Sequence, residues 1–147
     1  MIILLASIAN NGQTREYIRE LDLSPIVYVD EDPHICQQVA EILNPMGYRI
    51  IPVSDAAKTL IVLLDNKPDL IILNAVMPDA NGYERCAQIR KMPDFKTTPI
   101  AIAREQEKAI DFIRAKMTGA SDFISKPIQS AELLTLAQKH TQNAISS

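Results

Sequence analysis

Glycine is scarce: only four occur in 147 residues, and none stands in the loop "DEDPH" that follows the first apolar run after the opening residues. A flavin or nucleotide site on an α/β sheet needs glycines there, so that backbone N–H groups can approach phosphate. Carboxylates fill the place instead, which weighs against that class of enzyme. Cysteine is scarcer still. Cys36 and Cys86 lie far apart in helix-like segments, without the CxxC spacing of a zinc or redox motif, and read as reduced, packed thiols of a cytoplasmic protein. The chain contains no basic run, and its formal net charge is −3. Direct binding to nucleic acid or to an anionic membrane therefore has no electrostatic support. The apolar opening "MIILLASIAN" lacks a positive leader. It is also far shorter than the ~20 residues of a membrane span, so neither a signal peptide nor an anchor is expected.

What is present is a repeat of strand and helix patterns. From Ile26 onward, short β-branched runs alternate with amphipathic stretches, as in a domain built on a parallel sheet covered on both faces. The predicted strands are Ile26–Asp30, Arg49–Val53, Leu70–Asn74, Pro99–Ala103 and Asp122–Lys126. Pro52 cannot donate to a ladder, so the second strand belongs at an edge. Asp32 and Pro33 predict a helix N-cap and first turn, with Pro45 and Gly47 at its end. Helical spacing points Ile35, Val39, Ile42 and Leu43, then Leu60, Leu63 and Leu64, then Tyr83, Cys86, Ala87 and Ile89 or Arg90 toward a core. The same spacing points Ala109, Phe112, Ile113 and Met117, then Leu133, Leu136 and Ala137 inward. Gly119 is the expected C-terminal cap of the fourth helical stretch. His34 and His140 read as exposed helix residues, and Met77 and Met92 as packing. Residues 1–24 stand outside the repeat as an N-terminal extension, partly helical, or the tail of a preceding domain; residues 25–147 form one domain.

In a parallel α/β sheet, the side chains that meet in space are those at the carboxyl ends of the strands. Here they are Asp30 and Glu31, Asn74, Arg104 and Lys126. Two acids, an amide, a guanidinium and an ammonium converge on one crevice.

With these residues the chain resembles the receiver domains of two-component response regulators, a CheY-like family that accepts a phosphoryl group on an aspartate. "VYVDEDP" is similar to the family's acidic-pair loop, "DLIILNAVMPDANGYE" to its acceptor strand and following loop, and "GASDFISKPI" to its fifth strand with a Lys-Pro bond. The resemblance covers Pro25 to the C-terminus. It implies a flavodoxin-like doubly wound fold, (βα)5, with strand order 2-1-3-4-5. The tract "RAKMTGASDFISKP" also resembles receivers fused behind a cyanobacterial PatA-like regulatory domain, which would make residues 1–24 a preceding tail.

The departures concern the chemistry. Asn74 stands where the family has its phosphoacceptor aspartate, and Arg104 where it has a threonine or serine whose hydroxyl grips the phosphoryl oxygen. Phe123 matches the aromatic switch and Lys126 the phosphate-binding lysine. The family's pocket of three carboxylates and one lysine is formally about −2, and it recruits magnesium. Here Asp30 and Glu31 against Arg104 and Lys126 sum to zero. One charge pair at roughly 4 Å is worth on the order of 4 kcal/mol at an effective dielectric near 20, before desolvation. The expectation is weak magnesium binding at most, at Asp30 and Glu31, no other cofactor, and Arg104 lying over the acidic pair in place of the ion.

The leading reading is an atypical receiver, not an enzyme, that signals by protein contacts without Asp phosphorylation. The alternative is a phosphorylatable receiver, seen with an Asp-to-Asn exchange or using Asp79. Expected partners are a histidine kinase, a downstream effector or other regulators. The family's contact face would correspond to Glu105 to Gly119, Asp122 to Lys126 and Ser130 to His140. Homodimer formation through that face or the N-terminal extension stays open.

Overall fold

The computed structural model describes residues 25–77, 81–105, 113 and 116–141. The predicted extension 1–24, Asp79, Ala109 and Phe112 lie outside the described residues. Five strands form one parallel sheet: β1 Pro25–Val29, β2 Arg49–Val53, β3 Leu70–Asn74, β4 Ile100–Arg104 and β5 Asp122–Ser125. Their spatial order is β2-β1-β3-β4-β5, all neighbours parallel, as expected of a flavodoxin-like fold. Four helices lie wholly among the described residues: α1 Pro33–Leu43, α2 Thr59–Asn66, α3 Gly82–Arg90 and α4 Ser130–His140; residues 113 and 116–117 are helical as well.

The sequence explains this layering. β1, β3 and β4 are apolar over nearly their whole length and buried throughout, because helices cover both faces. Period-two alternation divides their side chains between two cores. Val27, Val29, Ile71, Leu73, Ile100 and Ile102 pack with Leu63 of α2 and Cys86 and Ile89 of α3. Ile26, Tyr28, Leu70, Ile72, Ala101 and Ala103 pack with Val39 and Leu43 of α1 and Leu133, Leu136 and Ala137 of α4. β2 and β5 form the edges, and Pro52 sits in the first of them.

Helix ends follow local chemistry. Asp32 caps α1 by accepting from the His34 N–H, and Pro33 occupies its first turn. After Leu43 a short 3-10 turn runs over Asn44–Met46 and stops at Gly47, whose φ of 92° is left-handed. Arg90, at the end of α3, ties three chain segments together. Its guanidinium donates to the carbonyls of Phe95 (2.7 Å), Thr98 (2.6 Å) and Gly119 (2.8 Å) and to Ser121 Oγ (3.1 Å).

Several inward assignments are corrected. Leu64 is 43% exposed, Ile113 59% and Met117 82%. In "TLIVLLDN" an apolar residue stands on every side of the first turns, so the pattern does not single out one face; the helix turns Leu63 fully inward. His140 is not a free surface residue: its Nε2 lies 3.2 Å from Asp122 Oδ2, which also accepts from Lys139 Nζ at 2.9 Å.

Candidate functional site

The carboxyl ends of β1, β3, β4 and β5 bring the crevice together. Asp30 follows β1 and is held there by its N–H, which donates to the Val53 carbonyl at 3.0 Å. Asn74 ends β3, and its neighbour Ala75 donates to the Ala103 carbonyl at 2.8 Å. Lys126 follows β5, its N–H bonded to the Arg104 carbonyl at 2.7 Å, and the Lys126–Pro127 bond is cis. Gly82 opens α3 directly against β3: a Cβ there would stand 2.5 Å from the Asn74 carbonyl oxygen. Only a residue without a side chain lets the helix approach so closely.

The side chains form one hydrogen-bonded circuit. Lys126 Nζ donates to Asp30 Oδ2 at 3.0 Å and to Asn74 Oδ1 at 3.1 Å. Asn74 Nδ2 donates to the Val76 carbonyl at 2.8 Å. Asp30 Oδ2 also accepts from the Tyr28 hydroxyl at 3.1 Å, and Asp30 Oδ1 from the Asp32 N–H at 3.0 Å. The Asp30 and Lys126 side chains are only 3% and 11% exposed, so this is a buried ion pair. Its strength rests on the added hydrogen bonds as much as on charge. Glu31, beside it, points to solvent.

Burial and the Asp30 charge raise the pKa values of two neighbours. Burial first, then the adjacent carboxylate, keeps the Tyr28 phenol protonated well above its ordinary range. The same two causes, in the same order, push the Cys36 thiol up to about 11. Cys36 Sγ lies 3.2 Å from the Asp30 carbonyl oxygen. Cys36 and Cys86 are both free and buried.

Arg104 does not reach over the acidic pair. Its guanidinium carbon lies 3.6 Å from the centroid of the Phe123 ring, and the residue is buried. The cation in contact with Asp30 is Lys126. The reason lies in register: Arg104 pairs with Ser125 across β4 and β5, which places Phe123, two residues earlier, on the same face. With Asp30 already neutralised, the ring gives the guanidinium a favourable surface at little desolvation cost.

The side chains present fit a divalent cation poorly. Magnesium needs oxygen ligands in near-octahedral array. Asp30 Oδ1 and Oδ2, Asn74 Oδ1 and Val76 O each already accept a hydrogen bond. Among the described residues no three His, Cys, Asp or Glu side chains group closely enough to hold a metal. Sequence spacing located Asp30, Asn74 and Lys126 but missed Tyr28. The signal for it was available, since residues i and i+2 of a strand share a face.

Comparison with known proteins agrees with this geometry. The family model described as "Response regulator receiver domain" matches residues 26–138. The chain belongs to that family, a module of two-component signalling. Protein PilG of Pseudomonas aeruginosa is 25% identical over 115 residues, which cover 78% of this chain and 85% of that protein. Transcriptional regulatory protein YvrH of Bacillus subtilis is 29% identical over 128 residues, 86% of this chain but only 53% of its own length. Among solved structures, chemotaxis protein CheY4 of Vibrio cholerae superposes with a TM-score of 0.78 at 25% identity, covering 82% of this chain and all of that one. No helix among the described residues is long and apolar enough to cross a membrane.

Proposed function

We propose that this domain is an atypical receiver that signals through protein contacts without phosphorylation on an aspartate, and that it is not an enzyme. One observation carries the reading: both ends of the Asn74 carboxamide are engaged, Oδ1 by Lys126 and Nδ2 by the Val76 carbonyl. A carboxamide is a poor nucleophile, and it supplies both a donor and an acceptor there, where an ionised carboxylate supplies acceptors alone. Asn74 is thus integrated into the crevice as an amide. In this reading Asp30 and Glu31 are the remnant acidic pocket, Lys126 its built-in cation, and Arg104 with Phe123 a stacked remnant of the switch. Magnesium binds weakly at most, and no other cofactor is required.

Partners are proteins: a histidine kinase, an effector or another regulator, met at the positions that correspond to the family's contact face, 105–119, 122–126 and 130–140. Residues 25–147 constitute the receiver unit and 1–24 an extension. The likeness of "RAKMTGASDFISKP" to PatA-like receivers supports work inside a larger cytoplasmic regulator.

The test is incubation with acetyl phosphate and magnesium followed by intact mass measurement. No added phosphate is expected. A stoichiometric acid-labile gain of one phosphate overturns the reading, and peptide mapping then shows whether Asp79 carries it.

A further inference from the structure

We infer that the Tyr28 hydroxyl is a specificity determinant of this crevice, holding Asp30 Oδ2 jointly with Lys126 and so keeping a divalent cation out. The inference rests on the reading above, that the pocket works without magnesium, and assigns part of that property to one residue outside the acidic pair.

Asp30 is the most buried carboxylate of the crevice, 2% exposed, and the only one there that turns inward rather than to solvent among the described residues. A cation must therefore draw on its oxygens. Oδ1 accepts from the Asp32 N–H, which is fixed by the turn into α1. Oδ2 carries two donors, Tyr28 Oη at 3.1 Å and Lys126 Nζ at 3.0 Å. The lysine is long and flexible and can swing aside. The phenol cannot: Tyr28 is 0% exposed, set in the sheet between its β2 neighbour Pro52 and its β3 neighbour Ile72. Rotating Oδ2 toward an ion leaves that hydroxyl buried without its acceptor, and such a group is costly. Tyr28 thus makes the metal-free arrangement of Asp30 the low-energy one, independently of the missing carboxylate at position 74.

Tyr28→Phe isolates this contribution, since it keeps the ring that packs in the core and deletes only the donor. Magnesium affinity is measured by titration calorimetry on the whole chain, in the wild type, N74D, N74D/Y28F and N74D/Y48F. The Asn74→Asp background supplies a third carboxylate, so that binding is measurable. Tyr48 is equally buried and lies outside the crevice, which makes it the control for loss of a buried hydroxyl. The expected result is that N74D/Y28F binds magnesium about tenfold more tightly than N74D, as loss of one hydrogen bond to a charged acceptor implies, while N74D/Y48F matches N74D. Equal affinities for N74D and N74D/Y28F, with no saturable binding by the wild type, overturn the role of Tyr28 and leave the metal-independent reading standing. Tight saturable binding by the wild type overturns both.

Discussion

Replacing Asn74 by aspartate restores the residue type the family uses for chemistry, and the structure says the fold will resist it. The Asn74 side chain donates to the Val76 carbonyl at 2.8 Å, and a carboxylate cannot. That loss is worth about 1 kcal/mol net. The new charge gains Lys126 at 3.1 Å, about 5 kcal/mol at an effective dielectric near 20. Against this, Asp30 shares the same ammonium. Sharing one ammonium at 3.0 and 3.1 Å, the two carboxylate oxygens lie within about 6 Å and repel by about 3 kcal/mol, and burying a charge at a site only 9% exposed removes several kcal/mol more. The balance is a destabilisation of about 2 kcal/mol, or a melting temperature lowered by about 4 to 8 °C for a domain of this size. Thermal unfolding followed by circular dichroism in EDTA measures it, and the same scan in excess magnesium should recover part of the loss for N74D while leaving the wild type unmoved. An N74D protein as stable as the wild type in EDTA would refute this account of the crevice, as would a wild type that magnesium stabilises equally.

Gly82→Ala should destabilise by about 1 to 3 kcal/mol although alanine is the better helix former, because the added Cβ meets the Asn74 carbonyl at 2.5 Å; an unchanged urea midpoint would contradict this. Arg90→Lys keeps the charge but cannot reproduce four bonds to Phe95, Thr98, Gly119 and Ser121, so a loss of about 2 to 3 kcal/mol is expected, with faster amide exchange around Ser121. For Asp122, burial would raise the pKa, but hydrogen bonds from Lys139, His140 and the Phe123 N–H outweigh it and hold the carboxyl below its ordinary value. A depressed acid stabilises above its unfolded pKa, about 3.9, and loses that contribution as pH falls through the folded value. Asp122→Asn should therefore lower the melting temperature at pH 7, and the gap from the wild type should close below about pH 4; a gap that is constant with pH would rule this out.

The sheet was legible because buried parallel strands announce themselves, whereas its strand order rested on the family resemblance. "IVYV", "LIIL" and "IAIA" are uncharged, and each ends in a polar or charged residue or just before one. Asp30, Asn74 and Lys126 were legible for the same reason, since strand ends converge. What sequence position does not encode is the direction a long side chain takes once it arrives. The spacing puts Arg104 at the correct strand end but does not put it on Phe123, because whether its guanidinium turns to Asp30 depends on whether Asp30 is already satisfied. Lys126 and Tyr28 settle that from two other strands. Ile113 and Met117 are exposed against expectation for a simpler reason: apolar residues at helical spacing mark a stripe, and a stripe can face solvent as well as a core.

The two departures at positions 74 and 104 belong together. With a neutral Asn74, Lys126 pairs with Asp30, and the Arg104 guanidinium stacks on Phe123. A desolvated guanidinium on an aromatic face is worth about 2 kcal/mol. If the aromatic must leave that position for β4 and β5 to change state, a bias of about 2 kcal/mol leaves the other arrangement populated at only a few per cent. In the family, phosphate binding supplies the energy that moves such an equilibrium; here no carboxylate accepts it in the proposed reading. A partner that reads the Phe123 position would meet one dominant arrangement, and any change of state would have to be driven by that partner's own differential affinity, roughly a thousandfold to move a few per cent to nearly all.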